Sequence, residues 1–179
     1  VYRPGVTGAG RWRVFVFTAA VTLAAALLFV VQPMTARGLL PLLGGSPAVW
    51  TTAMLFFQAA LLAGYLWAHW IGTRRGAWAV WVHAGVLGAC GLAAVLRGWR
   101  HPVPDASDPR LWMLGELAIA VGPGFFAIAS AGPLLQRWFA RAEDLARAGG
   151  AAVAGRDPYT LYAASNAGSV AGLLGYPLV

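Results

Sequence analysis

A few polar side chains lie within long apolar runs of this 179-residue chain, and they are its best candidates for chemistry. Glu116 is the one carboxylate inside such a run, and it follows Arg110 by six residues, or about 9 Å along a helix. A charge in hydrocarbon is costly and often has a function. Glu116 is therefore a candidate proton or cation site, with Arg37 as its candidate partner. The alternative is a carboxylate near the membrane interface that is paired or reaches water.

Uncharged polar residues in the same runs form a second set, comprising Gln32, Gln58, Ser130, Ser165 and Asn166. These side chains fit either the lining of a solute path or hydrogen bonds between helices. Two histidines, His69 and His83, are weaker candidates. A membrane histidine can ligate haem or a chlorophyll-type pigment, but neither residue belongs to a motif with a second ligand, so packing or interfacial roles fit as well.

No catalytic constellation is evident in the sequence. The acids and histidines are scattered, no His or Cys spacing suits a metal, and there is no phosphate-binding loop. The single Cys90 excludes an internal disulfide. We therefore expect neither an enzyme nor a bound metal or cofactor.

Composition places these residues in a membrane. The chain is 59% hydrophobic and 11% charged, with a mean hydropathy of +0.66. A soluble domain is about a quarter charged, and a fold of this size has too little interior for so much apolar surface. The net charge of +7 comes from arginines that lie mainly in short turns between the apolar runs, which indicates membrane topology and argues against a nucleic-acid partner.

The apolar runs predict an all-α polytopic bundle in one domain. About 20 residues cross a bilayer core, and five spans are expected, near 14–31, 48–71, 77–96, 111–135 and 159–179. Pro33, Pro41 and the Gly44–Pro47 stretch predict a broken or interfacial turn over 33–47, and Gly122-Pro123-Gly124 with Pro133 predicts a kink in the fourth span. No internal repeat is evident. The start at Val1 and the apolar end indicate part of a longer protein.

Arginine distribution predicts which side each loop occupies. Nine arginines fall in the N-terminal lead, in the turn with Arg74 and Arg75, and in the 136–157 loop, where 137–148 is expected to form a short surface helix. Four fall on the opposite side, so the first side, with the N-terminus, is predicted to be cytoplasmic. Tryptophans near the predicted span ends agree with interfacial belts.

Small residues recur every four positions in the fifth span, at Ala164, Gly168 and Gly172. Such a face lets helix backbones approach closely inside a membrane. It predicts helix packing, either within the chain or against another copy or subunit.

Two blocks, residues 32–69 and 157–179, carry a resemblance to a known family. The second reads DPYTLYAASNAGSVAGLLGYPLV. Together they resemble the membrane region of the bacterial fused major-facilitator/spermidine-synthase-like proteins, and Ser165-Asn166 lies in the shared motif. The turn with Arg74 and Arg75 is similar to the major-facilitator signature without its Asp. The resemblance implies a membrane module of the bacterial inner membrane, without the aminopropyltransferase domain.

Two functions remain open from the sequence. The first is a transporter-like module that moves or presents a small solute. The second is a non-catalytic accessory subunit of a respiratory or photosynthetic complex. The expected partners are the lipid bilayer and other membrane subunits or the rest of a longer chain.

Overall fold

The structure, a computed structural model, describes residues 8–74, 76–97, 109–150 and 159–178. All regular structure in these ranges is helical, which confirms the all-α prediction. The helices are α1 (Gly8–Leu43), α2 (Pro47–Thr73), α3 (Trp78–Arg97), α4 (Pro109–Ala120), α5 (Gly122–Ala148) and α6 (Tyr159–Gly175), followed by a short 3₁₀ helix, Tyr176–Leu178.

Two helices, α1 and α2, are each long and apolar enough to cross a membrane. A third span is present if α4 and α5, which meet at a bend of 60°, form one crossing. The apolar part of α3, Trp78–Ala93, is shorter, and α6 has 17 residues. Length and composition therefore support two or three spans and a helical membrane protein, while five spans remain a prediction.

The break expected over 33–47 needs correction, because α1 continues through Pro33 and Pro41 to Leu43. Proline removes one backbone donor, but apolar surroundings favour keeping every remaining backbone hydrogen bond within the helix. The chain turns only after Leu43, where Gly44 adopts a positive φ of 73°. Ser46 then caps α2 by accepting a hydrogen bond from the Val49 amide at 3.4 Å.

The kink expected in the fourth span lies between α4 and α5. Helix α5 begins at Gly122-Pro123, where proline suits the first helical turn because its missing donor would be unpaired there. Pro133 lies inside α5 without ending it. The segment expected to form a separate surface helix, 137–148, is instead the last part of α5.

Helices α1 and α6 run in the same direction. Leu161, early in α6, packs in a cluster with Val14, and further along Gly172 lies against Ala26. Helix α5 runs antiparallel to α1, since Phe139 contacts Phe17 while Glu143 pairs with Arg13. α1 thus lies between α6 and α5.

Helix α2 runs in the same direction as α4 and α5. Its beginning packs on α4 through Val49 and Met113, and further along Phe57 contacts Phe125, with ring centroids 5.0 Å apart. Near its end, Gly72 lies against Arg137. Because α2 and α4 run in the same direction, the chain must cross back between the end of α2 and the start of α4. Helix α3 is the helix between them in the sequence.

The outer surface is strongly apolar. Large hydrophobic side chains are exposed along α2 and α3, among them Leu55, Leu62, Leu66, Trp81, Leu92 and Val95. The buried residues instead form three small clusters between helices. Apolar side chains outside and close backbone contacts inside are the arrangement expected of helices solvated by lipid.

Candidate solute-binding cleft

A cleft of about 430 Å³, which we call the central cleft, opens between α1, α2, α5 and α6. Its wall on α1 is apolar throughout. The remaining walls carry uncharged polar side chains. The lining residues are Val21, Ala24, Ala25, Leu28, Phe29, Tyr65, Ile128, Ala129, Gly132, Pro133, Gln136, Tyr162, Ser165, Asn166 and Ser169.

The polar groups of the cleft come mostly from α6. Tyr162, Ser165, Asn166 and Ser169 recur at intervals of three, one and three residues, which places them on one side of a helix. The Ser169 hydroxyl donates to the Ser165 carbonyl at 3.0 Å, so its oxygen is left to accept a hydrogen bond from a ligand. The structure thus brings the sequence candidates Ser165 and Asn166 into a cleft.

Small residues hold α6 close to α1 behind these groups. A Cβ added at Gly168 would collide with the Thr22 carbonyl, and one at Gly172 would lie 2.5 Å from the Ala26 carbonyl oxygen. The Thr22 hydroxyl donates to the Ala164 carbonyl at 3.3 Å. The face predicted at Ala164, Gly168 and Gly172 therefore packs within the chain, on α1.

A second close approach joins α2 to α5. A Cβ added at Gly64 would lie 2.8 Å from the Ala129 Cβ and 3.1 Å from the Phe126 carbonyl oxygen. Only glycine fits at such a distance without a shift of the backbone. The sequence alone does not indicate this packing role of Gly64, because the contact joins distant parts of the chain.

The two close approaches are related by one shift along the sequence. Gly168 follows Gly64 by 104 residues, and Phe126 follows Thr22 by the same number. The contact between Gly64 and Phe126 therefore matches the contact between Gly168 and Thr22, with the helices exchanged. α1 and α5 run in opposite directions, so this exchange is a pseudo-twofold relation of the inverted-repeat kind.

Burial follows the same shift. The buried residues of α6 are Leu161, Gly168 and Gly172. Subtracting 104 gives Phe57, Gly64 and Ala68, which are all buried in α2. The expectation of no internal repeat therefore needs correction. We call the pseudo-twofold axis that relates the α1–α6 pair to the α5–α2 pair the repeat axis.

The cleft lies on the repeat axis. Ten of its fifteen lining residues form five pairs with the same 104-residue separation: Ala24 with Ile128, Ala25 with Ala129, Leu28 with Gly132, Phe29 with Pro133, and Tyr65 with Ser169. Repeat interfaces near the bilayer midplane are where secondary transporters bind their substrates.

The other candidates for an intramembrane site lie elsewhere. Gln32 lines a smaller cleft of about 240 Å³ together with Gln58. Glu116 is buried on α4, beside the core residue Leu117, whereas Arg37 is exposed on α1. None of these residues lines the central cleft. Pairing of Glu116 with Arg37 stays a prediction.

Charged residues gather where α2 and α5 end and α1 begins. Arg13 pairs with the buried Glu143 at 3.2 Å, and the Arg141 guanidinium donates to the Arg74 carbonyl at 3.2 Å. The Arg74 guanidinium lies over the Trp70 ring, 4.8 Å from its centroid. The start of α1, the turn with Arg74 and the end of α5 are thus adjacent, while Arg75 lies outside the described residues.

The two histidines differ in surroundings. His69 is exposed, whereas His83 is buried and accepts a hydrogen bond at Nδ1 from the Trp67 indole at 3.4 Å. Indole only donates, so the neutral His83 ring carries its proton on Nε2 and has no free lone pair there for a metal. Within the described ranges, no three His, Cys, Asp or Glu residues are grouped to hold a metal ion.

Comparison with known proteins gives no relative. No family model, curated protein or solved structure matches the chain.

Proposed function

We propose that this chain is a transporter-like membrane module that binds and moves a small solute through the cleft between α1, α2, α5 and α6. The single observation that carries the proposal is the position of the cleft on the repeat axis, with five pairs of lining residues related by one sequence shift. Carriers are commonly built from inverted repeats with the substrate site between them. The resemblance to the fused major-facilitator/spermidine-synthase-like proteins supports the same class and a bacterial inner membrane.

The proposal includes five crossings with a cytoplasmic N-terminus. Support comes from helix directions: α1 and α6 are parallel, α2 and α5 are parallel, and α1 opposes α5. Strict alternation of five spans requires all three relations. Further support comes from the charged end, where Arg13, Arg74 and Arg141 gather on the side predicted to be cytoplasmic.

The accessory-subunit function has one observation in its favour. Helix α3 presents Gly85, Gly88 and Gly91, and a Cβ added to any of them meets no atom within 4 Å. An open small-residue face of this kind suits a helix of another subunit. Stable co-purification with a redox complex from native membranes would favour this second function.

Flux into liposomes tests the carrier proposal. We would reconstitute the protein and follow radiolabelled glucose, sorbitol, glycine and spermidine. Gly132 lines the cleft and Gly88 lies on α3, and both have open space beyond their Cα atoms. We expect Gly132→Phe to abolish protein-dependent flux and Gly88→Phe to retain it. Equal flux in both variants, or flux of every probe at the level of protein-free liposomes, would contradict the proposal.

A further inference from the structure

We infer that the central cleft takes an uncharged, polyhydroxylated solute of sugar or polyol type, and not a polyamine or another ion. The inference rests on the proposed function and names the substrate class of the same site. It goes against the substrate that the spermidine-synthase part of the family name would suggest.

The lining of the cleft carries no charged side chain. None of the fifteen residues that line the cleft is Asp, Glu, Lys, Arg or His. Moving an ion out of water into a site of low dielectric costs several kcal/mol unless an opposite charge compensates it. A polyamine would bring two or more cations with no lining carboxylate to receive them.

The charged groups of the bundle core lie at its two ends instead. Glu143 pairs with Arg13 at one end, and Glu116 is buried on α4 towards the other. Neither carboxylate lines the cleft. A cation in the cleft would therefore be separated from the buried acids among the described residues.

The lining of the cleft mixes hydrogen-bond donors with acceptors. The amides of Gln136 and Asn166 each donate and accept, and the phenols of Tyr65 and Tyr162 do both. The Ser169 oxygen, whose proton is already donated to Ser165, accepts. Hydroxyl groups are matched by such a mixture because each of them also donates and accepts.

The walls of the cleft differ in polarity. The α1 side offers Val21, Leu28 and Phe29 without a polar side chain, whereas α6 contributes polar side chains. A sugar ring or polyol presents C–H groups on one face and hydroxyls around its edge, which fits a cleft with both an apolar and a polar wall. The cleft volume of about 430 Å³ is within the range of small-molecule sites, about 300–1,000 Å³.

Ligand-dependent thermal unfolding of the detergent-purified protein tests the inference. The probes are glucose, sorbitol and myo-inositol on one side, and spermidine and putrescine on the other. We expect at least one neutral probe to raise Tm in a saturable manner and neither polyamine to do so. Asn166→Asp keeps the size of the side chain and adds a negative charge, so we expect it to weaken the neutral probe at least tenfold and to create polyamine binding.

A control variant separates ligand contacts from general damage. Thr51 is an exposed polar residue of α2 outside the central cleft, and Thr51→Val should leave the neutral probe's affinity within twofold. Polyamine binding to the unmodified protein, lost in Gly132→Phe, would overturn the substrate class but leave the carrier proposal standing. If no probe raises Tm, or if the same responses persist in Gly132→Phe, both the substrate class and the carrier proposal are contradicted.

Discussion

At the scale of single residues, two glycines decide how closely the helices approach. The sequence predicted a small face at Gly168 and Gly172, because spacing of four residues is visible along one helix. It did not identify Thr22 and Ala26 as the partners, since that contact joins residues far apart in the chain. Gly64 was passed over for the same reason.

Gly168→Ala should destabilise the bundle, because the new methyl group would collide with the Thr22 carbonyl. Overpacking of a tight contact costs about 1–3 kcal/mol. Gly88→Ala is the matched control, since its methyl group meets no atom within 4 Å and alanine favours a helix by about 0.5–1 kcal/mol. Unfolding in SDS would measure both free energies. Equal effects in the two variants would show that α6 and α1 are less closely packed than the structure has them.

The pair of Arg13 and Glu143 gives a second residue-scale prediction. Glu143 is 4% exposed at its side chain, and among the described residues neither of its oxygens accepts a hydrogen bond of good geometry, so Arg13 compensates its charge. Arg13→Gln should cost about 1–3 kcal/mol of unfolding free energy, less than for a fully buried pair because Arg13 is 31% exposed. Adding Glu143→Gln should recover most of that loss.

The matched control for this pair of substitutions is the pair of Arg147 and Asp144. Its atoms are closer, at 2.7 Å, but its side chains are 53% and 74% exposed. Arg147→Gln should therefore change the free energy by roughly 0–1 kcal/mol. A larger loss of unfolding free energy in Arg147→Gln than in Arg13→Gln would show that burial does not determine how much each ion pair stabilises the protein. This difference is not visible in the sequence, because Glu143 and Asp144 are neighbours in one charged segment.

At the scale of elements, the prolines show what a sequence can and cannot predict. Five interruptions are visible in the sequence, and the chain bends or breaks at two of them, near Gly44 and at Gly122-Pro123. Helix continues through Pro33, Pro41 and Pro133. The last of these follows a glycine, Gly132, so proline beside glycine does not by itself end a helix. Each proline inside a helix costs one backbone hydrogen bond, and apolar surroundings favour keeping the remaining bonds within the helix.

Pro123→Ala should reduce the 60° bend between α4 and α5, because it restores a backbone donor and removes the ring. Spin labels at the exposed Leu111 and Asp144, in a Cys90→Ser background, would report the change. A straight helix places these positions about 50 Å apart and the bent one about 44 Å, at about 1.5 Å per residue. Pro133→Ala, as control, should not lengthen the distance. An unchanged distance in Pro123→Ala would assign the bend to packing of α4 on α2.

At the scale of the whole molecule, the inverted repeat is what the sequence concealed. Residues 59–64 read AALLAG and residues 163–168 read AASNAG, which is the same Ala-Ala-x-x-Ala-Gly pattern 104 residues apart. Four shared small residues are a weak signal in a chain so rich in Ala and Gly. The surrounding apolar side chains face lipid or each other and are interchangeable, so they preserve hydrophobicity without preserving identity. Only the helix contacts make the repeat visible.

The repeat has a consequence for topology, since an inverted repeat in a membrane requires its two halves to enter from opposite sides. Single cysteines at the exposed Thr73 and Asp144 should therefore be labelled from the cytoplasm, and those at Ser46 and Leu111 from the outside. The assay is a membrane-impermeant maleimide applied to intact cells and to inverted vesicles, again with Cys90→Ser. Thr73 and Ser46 stand at opposite ends of α2, so they form the internal control for one crossing. Labelling of Thr73 and Asp144 from different sides would contradict the parallel arrangement of α2 and α5. Labelling of all four positions from one side would contradict the membrane-spanning arrangement and therefore the carrier proposal.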